Sequence, residues 1–449
     1  VFPNPQDALP LPPKPNLERY KKLAKELVKA CKSGDADAIG VWAEDWVNAV
    51  VKLSGIVITR NLPVRISSWV DHVEQFAHQQ LAKEGAEPGR CRLADAQFII
   101  ARSHGFLSWP KFSKQVQSLT RKSSAIARFE AAADAIITGD SATLKQLLQK
   151  DPALVVMRSA REHRATLLHY VSANGVEGYR QKTPKNAVKI AKLLLEAGAD
   201  VDAEAEVYGG GATTLSLVAT SLHPYLAGVQ NLLMQILLDH GAEIDHKTSG
   251  GNQQMAVKSC LANGCGEAAV YLAERGARLD LEAAAGVGRL DLVKGFFDEN
   301  GQLISNVTKR QLESAFSHAC AWGRNDVVEF LLGKGMDLTA HGDDGQTCLH
   351  RAVIGGQLET IKLLLQHNPP LEVTNMYGGT VLGQATWSAA HGGDEDVYAA
   401  IIETLIAAGA KVPERHVPIS KRIDELLRRY GSLPEPAWYW YGEKPGRAK

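Results

Sequence analysis

Net charge is the first thing this chain of 449 residues lacks: 50 Lys and Arg stand against 50 Asp and Glu. Nucleic-acid binding by the chain as a whole rests on phosphate neutralisation by clustered cations, so no nucleic-acid partner is expected. Cysteine is also scarce. Cys31, Cys91, Cys260, Cys265, Cys320 and Cys348 show no paired spacing, and they read as reduced thiols in a cytoplasmic protein. No apolar run approaches the length of a membrane span, and no secretory apolar segment occurs in the residues from Val1 onward. HExxH, GxSxG and CxxC signatures are missing, and the 14 histidines follow no metal-binding spacing, so neither a metal nor a cofactor is expected. The stretch YGGGATT at Tyr208 lacks the Lys-Ser/Thr ending and preceding strand of a phosphate loop.

What is present is repetition. Between about Ala125 and Arg415 one pattern recurs: a short helix, a turn at Gly, an apolar helix and a stop. The stops fall at Gly198, Gly241, Gly276, Gly301, Gly335, Asn368 and Gly409. Self-similarity on this scale predicts a stacked solenoid, in which no unit buries its apolar face without neighbours. Thr166 and Thr347 sit where a hydroxyl would cap a helix N-terminus. Gly198, Gly241 and Gly409 sit where a helix ends in the left-handed conformation. Leu193, Leu194, Leu363 and Leu364 supply the apolar stripe of a second helix.

The segments RATLLHYVSANG from Arg164 and GQTCLHRAVIGGQLETIKLLLQH from Gly345 resemble the ankyrin repeat, whose hallmark is T-P-L-H-x-A. The resemblance spans roughly two thirds of the chain. It implies an all-α solenoid of about eight helix-pair units and a protein that binds other proteins. It also implies that His169 and His350 tie adjacent repeats together through hydrogen bonds. The expected organisation is a Pro-rich extended segment over 1–15, a helical capping domain over 16–122, the repeat stack over 125–415, and a closing helix with an aromatic tail over 416–449. Within the capping domain, LADAQFIIARSHGFLSWPKFSKQV is similar to the start of some bacterial ankyrin-repeat proteins.

Several intervals depart from a period of about 33 residues. Three excesses follow a first helix: EGYRQKTPKN from Glu177, LHPYLAGVQ from Leu222 and AAHGGDEDV from Ala389. A deficit after Gly276 removes a hairpin finger. Insertions in such architectures gather on one face, often the binding face, so three loops are expected to narrow a concave groove.

Helical spacing assigns the groove lining. Its ligand-binding candidates are Tyr170, Asn174, Ser221, Asn263, His318, Trp322, Arg351, Gln384 and Trp387. Finger residues Arg164, Asn252, Gln253, Asp343 and Tyr377 flank it. Trp322 and Trp387 are the strongest pointers to a ligand, since aromatic side chains dominate binding hot spots. The expected function is capture of a peptide, protein segment or small molecule. The alternative is an acid/base hydrolase or lyase acting on a sugar-like or ester substrate. Its catalytic candidates are His163, Glu177, Tyr179, Arg180, Tyr208, His223, Tyr225, Asp344 and His391. At the terminus, Ile419, Ile423, Leu426 and Leu427 predict an amphipathic helix. The aromatics Trp438 to Tyr441 are expected to pack on the last repeats or to support weak oligomerisation.

Overall fold

A computed structural model describes residues 4–54, 62–82, 91–121, 123–251, 255–305 and 307–435. The chain divides into two compact units, 1–271 and 272–449.

In the first unit five helices precede the repeats: α1 (Leu17–Lys32), α2 (Ala38–Ser54), α3 (Leu62–Ala82), α4 (Leu93–Ser103) and α5 (Trp109–Leu119). Asn16 caps α1 as its position predicts, its Oδ1 accepting from the Glu18 amide at 2.9 Å. Pro110 occupies the first turn of α5, where a missing N–H costs nothing. Tyr20, Leu27, Trp46, Ile99 and Phe112 meet in one core. The Pro-rich segment is docked rather than free: Ala8 and Leu9 are buried, and the Leu9 carbonyl accepts from His104 Nδ1 at 3.0 Å.

The repeat helices of this unit are α6 (Ala125–Thr138), α7 (Ser141–Lys150), α8 (Ala187–Glu196), α9 (Thr214–Ala219), α10 (Leu222–Leu226), α11 (Gln230–Asp239), α12 (Ala256–Ala262) and most of α13 (Gly266–Ala273). A 3-10 turn, Leu168–Ser172, stands as the inner partner of α8. Gln115 of α5 donates to Glu130 of α6 at 2.8 Å, so the helical extension and the first repeats share one unit.

The second unit holds α14 (Leu281–Val287), α15 (Leu290–Lys294), α16 (Lys309–Ala321), α17 (Asn325–Leu332), α18 (Cys348–Ile354), α19 (Leu358–Leu365), α20 (Val381–Ala390), α21 (Glu395–Ala407) and α22 (Lys421–Arg429). Inner helices α14, α16, α18 and α20 stack in order, and a single apolar cluster runs from Leu281 to Leu427. Ile423, Leu426 and Leu427 of α22 are buried, as the amphipathic pattern predicts. Across the described residues the repeat helices form eight inner and outer pairs, so the chain is an all-α repeat protein as expected.

Two local readings change. Gly301 is not a helix stop: it lies at a finger tip, where the Asp298 amide donates to Gln302 O and Phe297 bridges Leu303. Thr166 does not cap an α-helix, because the following residues wind as a 3-10 turn, whereas the Thr347 hydroxyl accepts from the His350 amide at 3.4 Å. The missing finger after Gly276 is seen as read: α14 starts at Leu281, with Asp280 capping it through the Ala283 amide at 2.9 Å.

Adjacent pairs are joined by hydrogen bonds through the motif histidines. His169 Nδ1 accepts from the Thr166 amide at 3.1 Å, and Nε2 reaches the Ala212 carbonyl at 3.3 Å. His350 Nδ1 lies 2.9 Å from Thr347 Oγ1, and Nε2 lies 3.2 Å from Gly379 O. At His169, an acceptor at Nδ1 and a donor at Nε2 fix one neutral tautomer.

Close backbone approach also selects glycine. At Gly355 a Cβ would lie 2.0 Å from the Ala321 carbonyl oxygen, so α18 and α16 meet there with no room for a methyl group. Gly355→Ala is expected to lower stability by about 2 kcal/mol through overpacking, measured as a shifted urea midpoint with unchanged slope; an unchanged midpoint would show that the stack yields there.

Burial lowers the His104 imidazole to about 3 and that of His169 to about 4. An unfolded histidine titrates near 6.5. As pH falls below that value the unfolded chain takes up protons that the folded chain refuses, so stability drops from about 6.5 down to about 4 for His169 and about 3 for His104. From pH 7 to pH 5 each histidine is expected to cost roughly 2 kcal/mol, read from urea unfolding at the two pH values; equal stabilities would refute it.

Candidate functional site

The groove expected from Tyr170 to Trp387 is divided between the two units, and each part is described separately.

In the first unit the insertion after Ser172 folds inward. Glu177, Gly178 and Arg180 are buried. At Gly178 a Cβ would lie 2.4 Å from the Gln6 carbonyl oxygen, and the Gly178 carbonyl accepts from Arg65 of α3 at 3.2 Å. This segment is therefore a clasp held between the N-terminal strap, α3 and α6, not a lid over an open groove.

Its charges complete an ionic cage. Arg161 Nη1 lies 2.9 Å from Glu130 Oε1 and 2.6 Å from Glu177 Oε1. Arg180 Nη1 lies 2.6 Å from Glu130 Oε2 and 3.3 Å from Glu177 Oε1, and its Nε donates to Asp134 at 2.9 Å. Both guanidiniums also stack on rings: Arg161 over Phe106 at 5.5 Å, and Arg180 over Tyr170 at 5.8 Å. Burial alone would raise the two glutamates, but the guanidiniums outweigh it, holding Glu130 below the usual carboxylate range and Glu177 well below it. Burial pushes the Tyr170 and Tyr179 hydroxyls up.

Four of the nine catalytic candidates thus meet, namely His163, Glu177, Tyr179 and Arg180. His163 Nε2 lies 3.7 Å from Glu177 Oε2, and Tyr179 accepts from Arg161 at 3.2 Å. Their surroundings are those of an interior charge cluster. Tyr170 is buried among them and so does not face an open groove. Glu130 and Arg161 were not singled out from sequence. A signal existed for Glu130, which shares one helical face with Ala133 and Ile137, all buried.

Of the other first-unit candidates, Asn174 and Tyr208 meet through a hydrogen bond. Asn174 donates to Leu217 O and Thr220 Oγ1, both at 3.3 Å, and accepts from the Tyr208 hydroxyl at 2.7 Å. Ser221 is buried, while Asn263 is exposed with its Nδ2 donating to Ser259 O at 2.8 Å. The second insertion forms α10, which exposes Leu222, Tyr225 and Leu226. Partial burial and the charge of Arg65 hold the neighbouring His223 below its usual value.

In the second unit the inner helices carry equivalent positions in register: His318, Arg351 and Gln384; Ala321, Ile354 and Trp387; Trp322, Gly355 and Ser388. Ile354 is 40% exposed and Trp387 58% exposed. The Trp387 indole stacks on His391, ring centroids 4.1 Å apart, and His391 Nδ1 lies 2.7 Å from Trp387 O. Arg351 pairs with Asp344 at 2.7 Å. Gln384 is turned inward, donating to Ser388 at 3.2 Å and accepting from Asn375 at 3.3 Å. His318 and Trp322 are half-buried. The finger before α20 adds Met376 and Tyr377, both largely exposed. The third insertion lengthens α20 and ends in the Gly392–Gly393 turn.

Asn252, Gln253 and the aromatics Trp438 to Tyr441 lie outside the described residues. Among the described residues no group of His, Cys, Asp and Glu is arranged to hold a metal ion, and no helix is long and apolar enough to cross a membrane.

The family model described as ankyrin repeats (3 copies) matches residues 281–377 and 316–415. The chain is similar to the Notch-regulated ankyrin repeat-containing protein of Xenopus tropicalis, 35% identical over 103 residues, covering 22% of this chain and 87% of that protein. The Homo sapiens protein of the same name is 29% identical over 107 residues, with 22% and 87% covered. That of Xenopus laevis is 27% identical over 95 residues, with 21% and 80% covered.

Removing one partner of a buried ion pair strands its counter-charge. Glu177→Gln, which leaves Arg161 and Arg180 facing one fewer carboxylate, is expected to destabilise the protein by about 3 kcal/mol in urea unfolding at neutral pH. A loss within error would mean that the cage is open to water.

Proposed function

This chain belongs to the ankyrin-repeat family, and from that premise we propose that it is a protein-binding scaffold whose recognition surface is the inner-helix face of the second unit. One observation carries the reading: Ile354 and Trp387, at equivalent places on successive inner helices, are exposed together with Met376 and Tyr377 of the intervening finger. None of these four is needed to close the apolar core, and aromatic anchors of this kind concentrate binding energy. Arg351, Asp344 and His391 supply a polar surround of mixed charge, which suits a partner segment held by apolar side chains with hydrogen bonds at the edge. His318 and Trp322 continue the face on α16.

The finer proposal is that a protein segment lays an apolar side chain against the Trp387 indole. Binders selected from a displayed peptide library with the full chain provide the test. Trp387→Ala is expected to weaken them by about 2 kcal/mol, the size of an interface hot spot, with thermal stability unchanged because the ring is mostly solvated. Tyr225→Ala, in the other unit, should leave them intact. Binders indifferent to Trp387→Ala and Tyr377→Ala would refute this face as the recognition surface.

A further inference from the structure

The helices ahead of the repeats carry a cavity that the recognition face does not use. It measures about 920 Å³ and is lined by α1, α2 and residues 12–16 of the N-terminal strap, a size at which small molecules bind. Only residues 33–37 join the two helices, so they run antiparallel. Trp42 fixes their register by donating from Nε1 to the Leu23 carbonyl at 3.2 Å. Leu23, Trp42 and Trp46 line the cavity, the two indoles buried with ring centroids 5.1 Å apart. Val41 and Leu53 line it as well and are exposed, although both are large apolar side chains.

Charge is uneven around this trough. Lys22 pairs with Glu26 at 3.6 Å, which leaves Lys14, Arg19 and Lys29 of the lining against Asp45, all four exposed. Lys14 and Arg19 stand at the strap end, where α1 begins, and Lys29 at the opposite end. The antiparallel run places Trp46 one turn from Trp42 towards the strap end. Its indole N–H is buried without a hydrogen-bond partner among the described residues, so this end also carries an unmet donor.

Two cations and an open donor at one end, with an apolar trough beyond, complement an amphipathic anion. We propose that the cavity binds a fatty carboxylate as a free small molecule, its head between Lys14 and Arg19 and its alkyl chain along Leu23, Trp42 and Val41. From Arg19 to Ala30 α1 rises roughly 16 Å, room for a medium-length chain lying along the helix. Asp45, the one unpaired anion of the lining, opposes the head group and sets a limit on affinity that can be lifted by substitution.

Isothermal titration of the full-length chain with dodecanoate, and with dodecanol as its uncharged counterpart, provides the test. Dodecanoate is expected to bind, and dodecanol to bind more weakly. Replacing both head-end cations, Lys14→Ala with Arg19→Ala, should weaken dodecanoate about fivefold, the size of two exposed ion pairs, and leave dodecanol unchanged. Asp45→Asn should tighten dodecanoate alone. Val41→Asp, which sets a charge against the alkyl chain at an exposed position, should weaken both ligands about tenfold through lost apolar contact. Circular dichroism checks that the variants fold. The assignment is overturned if dodecanoate does not bind, if Val41→Asp leaves its affinity unchanged, or if dodecanol matches dodecanoate and the cation variant treats the two alike. Sedimentation with phosphatidylglycerol vesicles, without binding of free dodecanoate, overturns it in favour of a membrane surface.

Discussion

Backbone carbonyls at the end of a helix have no partner within that helix, and in this protein the next repeat supplies one. Arg324 Nε donates to the Gly286 carbonyl at 2.9 Å. Tyr398 donates to the carbonyls of Val353 and Ile354 at 3.0 and 2.9 Å. In the first unit Asn174 does the reverse, reaching forward to Leu217 O. Each inner helix is incomplete by itself in polar as well as apolar terms. These side chains come from the turns between inner and outer helices or from the outer helix, so they fix stacking register and leave the solvent face of the inner helices unconstrained. That freedom is what allows Ile354 and Trp387 to remain exposed without loss to the core.

The two units solve their interiors differently. The second unit is held by an uninterrupted apolar cluster from Leu281 to Leu427. The first places two arginines and two glutamates in its interior, where desolvation is costly and only close pairing offsets it. Glu130 and Glu177 are each shared by Arg161 and Arg180. A balanced set of this kind specifies geometry strongly, because displacing any member leaves an opposite charge buried.

Local signals were the legible part of the sequence. The Asn16 cap, the Gly198, Gly241 and Gly409 terminations, the inward face of α22 and the lost finger after Gly276 depend on residues a few positions apart, and each was readable from spacing. The turn at Gly301 was misread because ENG ends a helix and tips a hairpin with the same chemistry; only the Asp298 to Gln302 hydrogen bond separates the two. The insertion from Glu177 to Asn186 was read from its length as a loop narrowing the groove. The burial of Glu177, Gly178 and Arg180 at its start follows from partners at Glu130 and Arg161, far away along the chain, and no local pattern carries that information.

Loops of variable length in repeat proteins are usually treated as interchangeable, places where an engineer can cut, splice or lengthen the chain. The clasp at Glu177 to Arg180 has lost that licence. With its carboxylate beside two interior guanidiniums and Gly178 pressed against the Gln6 carbonyl, it behaves as a keystone: swapping in a standard-length repeat here would remove Glu177 and Arg180 together, leaving Arg161 and Glu130 of the cage without half of their partners. The leucine-bearing helix at Leu222 to Leu226, by contrast, could be exchanged without stranding a charge.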